Sequence, residues 1–554
     1  MASLSKILLL STFSCATFIP SSQAVSGRAA EVRDDPAPVS DRAAAVKEAF
    51  EHAWNGYYTY AFPDDELRSV SNVGINTRNG WGATAVDALS TAIVMEETDI
   101  VQEILNHIYQ IDYTQTDTTC SLFETTIRYI GGMLSGYDLL TGPYSYLGFN
   151  QSDAFPLLNQ SMVLADTLSF AFNTPTGIPY NNLNITAQTS PDDPVNGLAT
   201  IGTLILEWQR LSDLTGDPKY GDYVAKGESY LLNPSPPSGE PFPGLLGQDV
   251  SINTGEIIDT FGGWIGGDDS FYEYLLKAYV YDSSRFSNYL DRWLLAADSS
   301  IQHLASTPPT GPQNLTYLAE FNNTTLILES QHLACFDGGS YILGGLVLKN
   351  QTFTDFGLDL VAGCRNTYTS TATHIMPDSF GWDPNNVPAD QASFYAANGF
   401  YYTNAGYYLR PEYLESVYYA YRATSNTTYQ DWAWEAFVAI NSTTRTPTGF
   451  SEISNVTDPT GGDKLDVQDS FFLAEVLKYL YLIFDDAAPV GVAADGVETW
   501  VFNTEAQYVF LFPFLLFSLG LCFLITLTLI DGADADLFDS PLKVVTPQNC
   551  TTAN

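Results

Sequence analysis

Apolar residues recur at helical spacing in eleven stretches: Ala43 to Tyr60, Ala83 to Met95, Phe123 to Leu139, Gly197 to Leu214, Phe271 to Tyr281, Phe286 to Leu304, Gly338 to Val347, Phe353 to Thr367, Tyr413 to Thr424, Tyr429 to Ile440 and Phe471 to Phe484. Period-2 alternation is scarce, so the chain reads as mainly helical. Turn-rich inserts such as Asn233 to Gly247 separate the helices, and no Gly/Ser linker or charge block divides them. Residues 35–507 therefore read as one large domain. A toroid of helical hairpins, a solenoid or a bundle would satisfy this pattern; the lack of a repeat at fixed period argues against the solenoid.

Both ends differ from this body. Residues 1–24 carry Lys6, an apolar run from Ile7 through Ile19 and the small-residue site Ser22-Gln23-Ala24, the pattern of a secretory signal. Entry into the secretory pathway agrees with sequons at Asn150, Asn159, Asn184, Asn314, Asn322, Asn350, Asn426, Asn441 and Asn455. Of the six cysteines, Cys15 falls in the signal, Cys522 in an apolar tail and Cys550 beside the C-terminus. An oxidising lumen favours one disulfide in the body; Cys335 with Cys364 is the pair expected, with Cys120 left as a buried thiol.

The chain has 554 residues with 64 acidic against 22 basic side chains, a formal net charge of -42. Such a surface repels a phosphate backbone, which excludes nucleic acid as a partner. Five histidines are too few for a His-rich zinc site, and a divalent metal here would be calcium held by oxygen. Most of the carboxylates are solvated surface, but three groups stand among apolar neighbours where helices begin. Glu124 and Arg128 lie four apart, as an ion pair would. Asp269 and Glu273, also four apart after Gly266-Gly267, place like charges on one face, an arrangement a fold tolerates more readily where something binds. Pro411 suits the first turn of a helix and sets Glu412 and Glu415 on one side of it. Asp466, Asp469 and Glu475 form a weaker fourth group. Carboxylates among aromatics, with no nucleophilic Ser or Cys motif, point to glycoside hydrolysis, which needs one carboxylic acid and one carboxylate.

These residues carry a resemblance. Asn79-Gly80-Trp81-Gly82-Ala83-Thr84 with Asp87-Ala88-Leu89, Phe123 to Arg128, Gly267 to Tyr274, Gln331-His332-Leu333 before Cys335, Leu409-Arg410-Pro411-Glu412, Ser470-Phe471 with Ala474-Glu475, and Phe502 to Ala506 form an ordered set that resembles the class I α-1,2-mannosidases, glycoside hydrolase family 47, in its secreted filamentous-fungal branch. The resemblance implies an all-α (α/α)7 barrel of helical hairpins, with a C-terminal segment plugging the barrel and calcium at the base of a mannose pocket. It implies inverting exo-hydrolysis of terminal α-1,2-linked mannose from high-mannose N-glycans of glycoproteins by a monomer. Carried over by motif, Glu124 is the acid, working through a water, and Glu412 the base. Asp269 is the third essential carboxylate, and the acid role has moved between it and Glu124. Thr504 touches Ca²⁺, while Arg128, Glu273, Arg410, Glu415, Asp469 and Glu505 bind sugar hydroxyls or the metal's waters. Cys335 and Cys364 match the family's disulfide. Gly267 stands where relatives that stop after one mannose carry Arg, which implies trimming of several linkages. The other readings of the same barrel are a catalytically silent mannose-binding quality-control lectin and an ER degradation-type mannosidase.

Two positions depart from the family. Asp469 replaces the usual Glu. After Ala506 the family has His-Pro, whereas this chain has Gln507 and then an apolar stretch, 508–530, long enough to span a bilayer. Asp531 to Asn554 lacks the basic flank of an anchor. The segment 508–554 reads either as an anchor or as translated intron, because Gln-Tyr-Val can be encoded CAG-TAT-GTN, which contains the donor-like GTATGT; a mature transcript keeping it in frame sinks the intron reading. The expected location is the secretory pathway, secreted or in a Golgi or vesicle lumen, with membrane contact only if 508–530 is an anchor.

Overall fold

The computed structural model describes residues 41–191 and 193–511. The signal expected at 1–24 lies outside these residues, as does the tail beyond Leu511. Fourteen helices of eight residues or more occur among the described residues: α1 Asp41–Tyr60, α2 Ala83–Val94, α3 Thr98–Ile108, α4 Gly131–Thr141, α5 Gln151–Leu168, α6 Ile205–Thr215, α7 Lys219–Leu232, α8 Asp269–Tyr281, α9 Ser287–Ser299, α10 Asp337–Leu348, α11 Gln351–Thr369, α12 Glu412–Thr424, α13 Thr428–Thr444 and α14 Leu477–Phe484. They pack as seven pairs, each even-numbered helix from α2 to α12 with the helix after it, and α14 with α1. The even-numbered helices touch in sequence, and α14 meets α2 to close the ring. The architecture is the expected (α/α)7 barrel.

Burial separates the two rings. Every residue of α2 and α14 is buried, as a helix surrounded by protein on all sides requires. Outer α3 buries one stripe, Ile100, Val101, Ile104, Leu105 and Ile108, and leaves the rest to solvent. The periodicity reading omitted α3, α5 and α7. Pro156 interrupts α5, α7 contains Gly221 and Gly227, and α3 begins at Glu97 without a side-chain cap, so the usual start signals are weak there. Strands are short and confined to the loops; the longest among the described residues is Tyr401–Asn404.

A hairpin of Trp500–Phe502 and Tyr508–Phe510 enters the barrel against α4, α6 and α8. Phe510 N donates to Asp138 Oδ2 (3.4 Å) and Tyr508 N to Ser135 Oγ (2.9 Å). The body thus runs past the expected limit at 507, because the first apolar residues assigned to the tail are the second strand of the plug. No helix among the described residues is long and apolar enough to cross a membrane. Cys335, in the turn before α10, bonds Cys364 of α11 across a Cα separation of 6.1 Å, and Cys120 is a buried thiol, both as expected.

Candidate active site

The inner helices begin where the chemistry lies. Asp269 and Glu412 are the first residues of α8 and α12, and Glu124 sits in the single turn Leu122–Thr125, capped by Ser121. A helix N-terminus favours a carboxylate through its unpaired N–H groups and its dipole. The backbone before two of them is left-handed: Gly267 has φ 100° and Leu409 φ 57°. The second conformation is unfavourable for a leucine by about 1–3 kcal/mol, and it turns Arg410-Pro411-Glu412 inward. A Cβ at position 267 would stand 2.0 Å from Gln248 Nε2, so with φ at 100° any other residue there adopts a strained backbone and displaces the Gln248 amide.

Two tiers of acidic side chains result. Asp269, Glu412 and Glu124 are half-buried, the last two with 13% and 27% of the side chain exposed. One turn further along the same helices, Glu273 and Glu415 keep 5% and 9%, and Glu505 keeps 4%. Small molecules can reach the first set; the second lies beneath it.

The partners set the charge of each. Arg128 donates from Nε to Glu124 Oε2 (2.8 Å), stands 3.4 Å from Asp87 Oδ2 and pairs with Glu505. Burial pushes the Glu124 carboxyl up, but Arg128 and Arg78 outweigh it and hold Glu124 below its ordinary value. Burial acts on Glu412 too; His332, whose Nδ1 donates to Glu412 Oε2 (2.7 Å), and Arg410 bring it below the usual range. Asp269 has no such cation in contact. Burial lifts it, the Ser270 N–H partly opposes, and Glu273 and Glu412 lift it further, to about 7. The i,i+4 repulsion with Glu273 read from the sequence is therefore real.

Beneath them, Lys277 pairs with Glu273 and stands 3.8 Å from Glu415. Burial nevertheless pushes Glu415 to about 8, and Glu475 far above its usual value. Thr504, at the tip of the plug, is half-buried, and its N–H donates to Tyr274 Oη (3.3 Å). Asn503 fixes the turn: its Oδ1 accepts from Glu505 N and Gln507 N, and its Nδ2 donates to Glu207 Oε1 (2.7 Å). Lys478 Nζ donates to Ala506 O (2.5 Å) from below. Among the described residues no group of three or more His, Cys, Asp or Glu side chains is placed to hold a metal by itself; around this turn the oxygen donors Thr504, Glu273, Glu415 and Glu505 are of the kind that suit a hard divalent cation.

The expected residues thus form one connected set, with two exceptions. Asp469 is influenced chiefly by burial, Glu66 and Glu452, on the Arg410 side of the cavity. Asp466 leaves the group altogether and caps Val70 N and Ser71 N at the surface. Sequence reading missed His332, Asp378, which accepts from Arg410 Nε (2.9 Å), and Lys277. His332 lay inside a quoted motif, and as one of five histidines beside an apolar Leu333 it was the one detectable signal. Asp378 comes from a loop 32 residues before its partner, which no spacing rule links.

A family model described as Glycosyl hydrolase family 47 matches residues 49–510. A mannosyl-oligosaccharide alpha-1,2-mannosidase of Coccidioides posadasii is 58% identical over 85% of this chain and 91% of its own length, and one of Penicillium citrinum is 57% identical over 86% and 93%. Among solved structures, an alpha-1,2-mannosidase from Trichoderma reesei superposes with a TM-score of 0.84 at 47% identity, over 86% of this chain and all of the other.

Proposed function

Because the chain belongs to glycosyl hydrolase family 47, we propose that it removes terminal α-1,2-linked mannose from high-mannose N-glycans by inverting, calcium-assisted hydrolysis in the secretory pathway. The observation that carries this reading is the division of three reachable carboxylates into one lifted to about 7 and two held low. Glycoside hydrolysis needs that division, since one carboxyl must give a proton while another takes one.

Glu412 is the base. Kept ionised by His332 and Arg410, it accepts a proton from the water that attacks the anomeric carbon. Asp269 is the acid, keeping its proton below about pH 7 and giving it to the leaving glycosidic oxygen, while Glu124 stays ionised against Arg128 and accepts from sugar hydroxyls or water. The raised Asp269 carboxyl supports Asp269 over Glu124 as the proton donor, a choice that motif matching left open. The family is metal-dependent. Thr504 would hold calcium through its hydroxyl and carbonyl, with Glu273, Glu415 and Glu505 on the metal's waters. When bound, calcium supplies a Lewis acid that grips vicinal hydroxyls. Asp469 instead helps to hold Arg410 at the rim. Gly267 leaves the entrance without the Arg that would crowd it, so several linkages are trimmed.

Proton NMR of mannose released from a high-mannose glycan tests the reading. β-Mannose is expected first, with turnover lost after chelation and restored by Ca²⁺. Binding without release makes the protein a lectin, and α-mannose first overturns the roles of base and acid.

The pH profile follows from the same charges. Activity needs Glu412 ionised and Asp269 protonated, so kcat/KM rises through the depressed Glu412 value and falls through about 7. Asp269→Asn should remove the alkaline limb and Glu124→Gln should leave it in place; a limb unmoved in Asp269→Asn contradicts the assignment.

A further inference from the structure

A second cavity opens on the rim of the barrel. Strands Val195–Gly197 and Asp249–Ser251 pair with Gly197 opposite Asp249, and with residues from the preceding loop they border about 250 Å³ lined by Tyr180, Asn181, Asn182, Asp193, Asn196 and Asp249 among others. Its walls are tied to both catalytic segments. Asn181 Oδ1 accepts from Ser121 Oγ (3.1 Å) and Phe123 N (3.0 Å), next to Glu124. On the other side Ala199 N donates to Gly267 O (2.8 Å) and Gln248 Nε2 to Gly266 O (3.0 Å), just ahead of Asp269. The cavity therefore adjoins the loops that deliver Glu124 and Asp269, and none of Glu124, Asp269 and Glu412 lines it.

Its chemistry is that of a neutral, hydroxyl-rich ligand. Amides, a phenol ring and carboxylates line it, and Asp249, which is exposed, accepts no hydrogen bond to its carboxylate from the described residues. Burial, with Asp259 and Asp193 nearby, raises its carboxyl, and three carboxylates so close disfavour an anionic ligand. A carboxylate with free lone pairs is a strong acceptor for sugar hydroxyls, and the rim position suits a branched oligosaccharide, of which only the terminal residue can occupy the hollow.

We propose that this cavity is a second carbohydrate-binding position, in which Asp249 accepts hydroxyls of a mannose on another arm of the glycan being trimmed. The proposal rests on the mannosidase reading and adds a residue that selects large glycans over small ones. Asp249→Asn keeps the shape and removes the charge at an exposed position. In the full-length protein, kcat/KM for α-1,2-mannobiose, which has no second arm, is expected to stay within about twofold of wild type. For a nine-mannose glycan it is expected to fall about tenfold, through KM. No change on either substrate, or an equal loss on both, overturns the proposal. So does a calcium-dependent rise in melting midpoint that the variant loses, which makes the three aspartates a cation site. Wild-type protein inert towards mannobiose defeats the mannosidase reading itself, a result separate from any effect of the variant.

Discussion

Glu412→Gln is expected to lower kcat about 10²- to 10⁴-fold while leaving the affinity for a mannose analogue within a few-fold of wild type. The substitution is isosteric and keeps an oxygen to accept from His332 Nδ1, which stands 2.7 Å from Glu412 Oε2. What it removes is the basicity that the surrounding groups maintain. Burial alone would favour a neutral side chain at this position, and the His332 hydrogen bond and Arg410 are what keep it charged. His332 is itself fixed by Tyr368, 2.8 Å from its Nε2, so the base is oriented by a chain of buried contacts. Single-turnover release of mannose, with calorimetric binding of the analogue, separates the two effects. A kcat within threefold of wild type removes Glu412 from the chemistry. Loss of binding together with rate points to disturbed structure instead.

Arg128→Met is expected to destabilise the folded protein by about 3 to 5 kcal/mol at neutral pH. The guanidinium, 6% exposed, is shared among Glu124, Asp87 and Glu505, and methionine fills similar volume without charge. Asp87 and Glu505, 0% and 4% exposed, then lose a cation where water cannot replace it, and Glu124 loses its main partner. The loss should shrink as the pH falls, because protonation relieves carboxylates left unpaired in the folded state. Denaturant unfolding at pH 7 and pH 5, with Arg128→Lys alongside, measures both. Arg128→Lys keeps the charge but not the fork geometry, so an intermediate loss is expected. A deficit below about 1 kcal/mol, or one that grows on acidification, contradicts the account.

Much of the site was legible because its carboxylates fall at helix starts. Asp269 and Glu412 open α8 and α12, and the residues preceding them, Gly266-Gly267 and Pro411, are turn and helix-start signals that a sequence displays. The pairs Glu124–Arg128 and Asp269–Glu273 were found through i,i+4 spacing alone. Motif likeness, not periodicity, supplied Thr504 and the count of seven hairpins. Asp466 shows the limit of proximity in sequence: three residues from Asp469, it points to surface amides of another loop.

The sequence by itself determined the helical character, the ion pair at Glu124, the crowded pair on α8 and the start of α12, since these follow from local spacing and backbone preference. Only the tertiary structure puts the three carboxylates in different surroundings, with burial lifting Asp269 while neighbouring cations hold Glu124 and Glu412 low. Asp269 and Glu412 are acids of nearly equal strength in water; His332 hydrogen-bonds Glu412 alone, while Arg410 lowers both but is outweighed at Asp269 by burial, Glu273 and Glu412. It also decided that Tyr508–Phe510 close the barrel, and that π-helical turns at Thr126–Ile130 and Phe472–Val476 carry Arg128 and Glu475. Burial and pairing such as His332 with Glu412, 80 residues apart, or Arg128 with Glu505, join distant segments, and no local rule along the chain contains them.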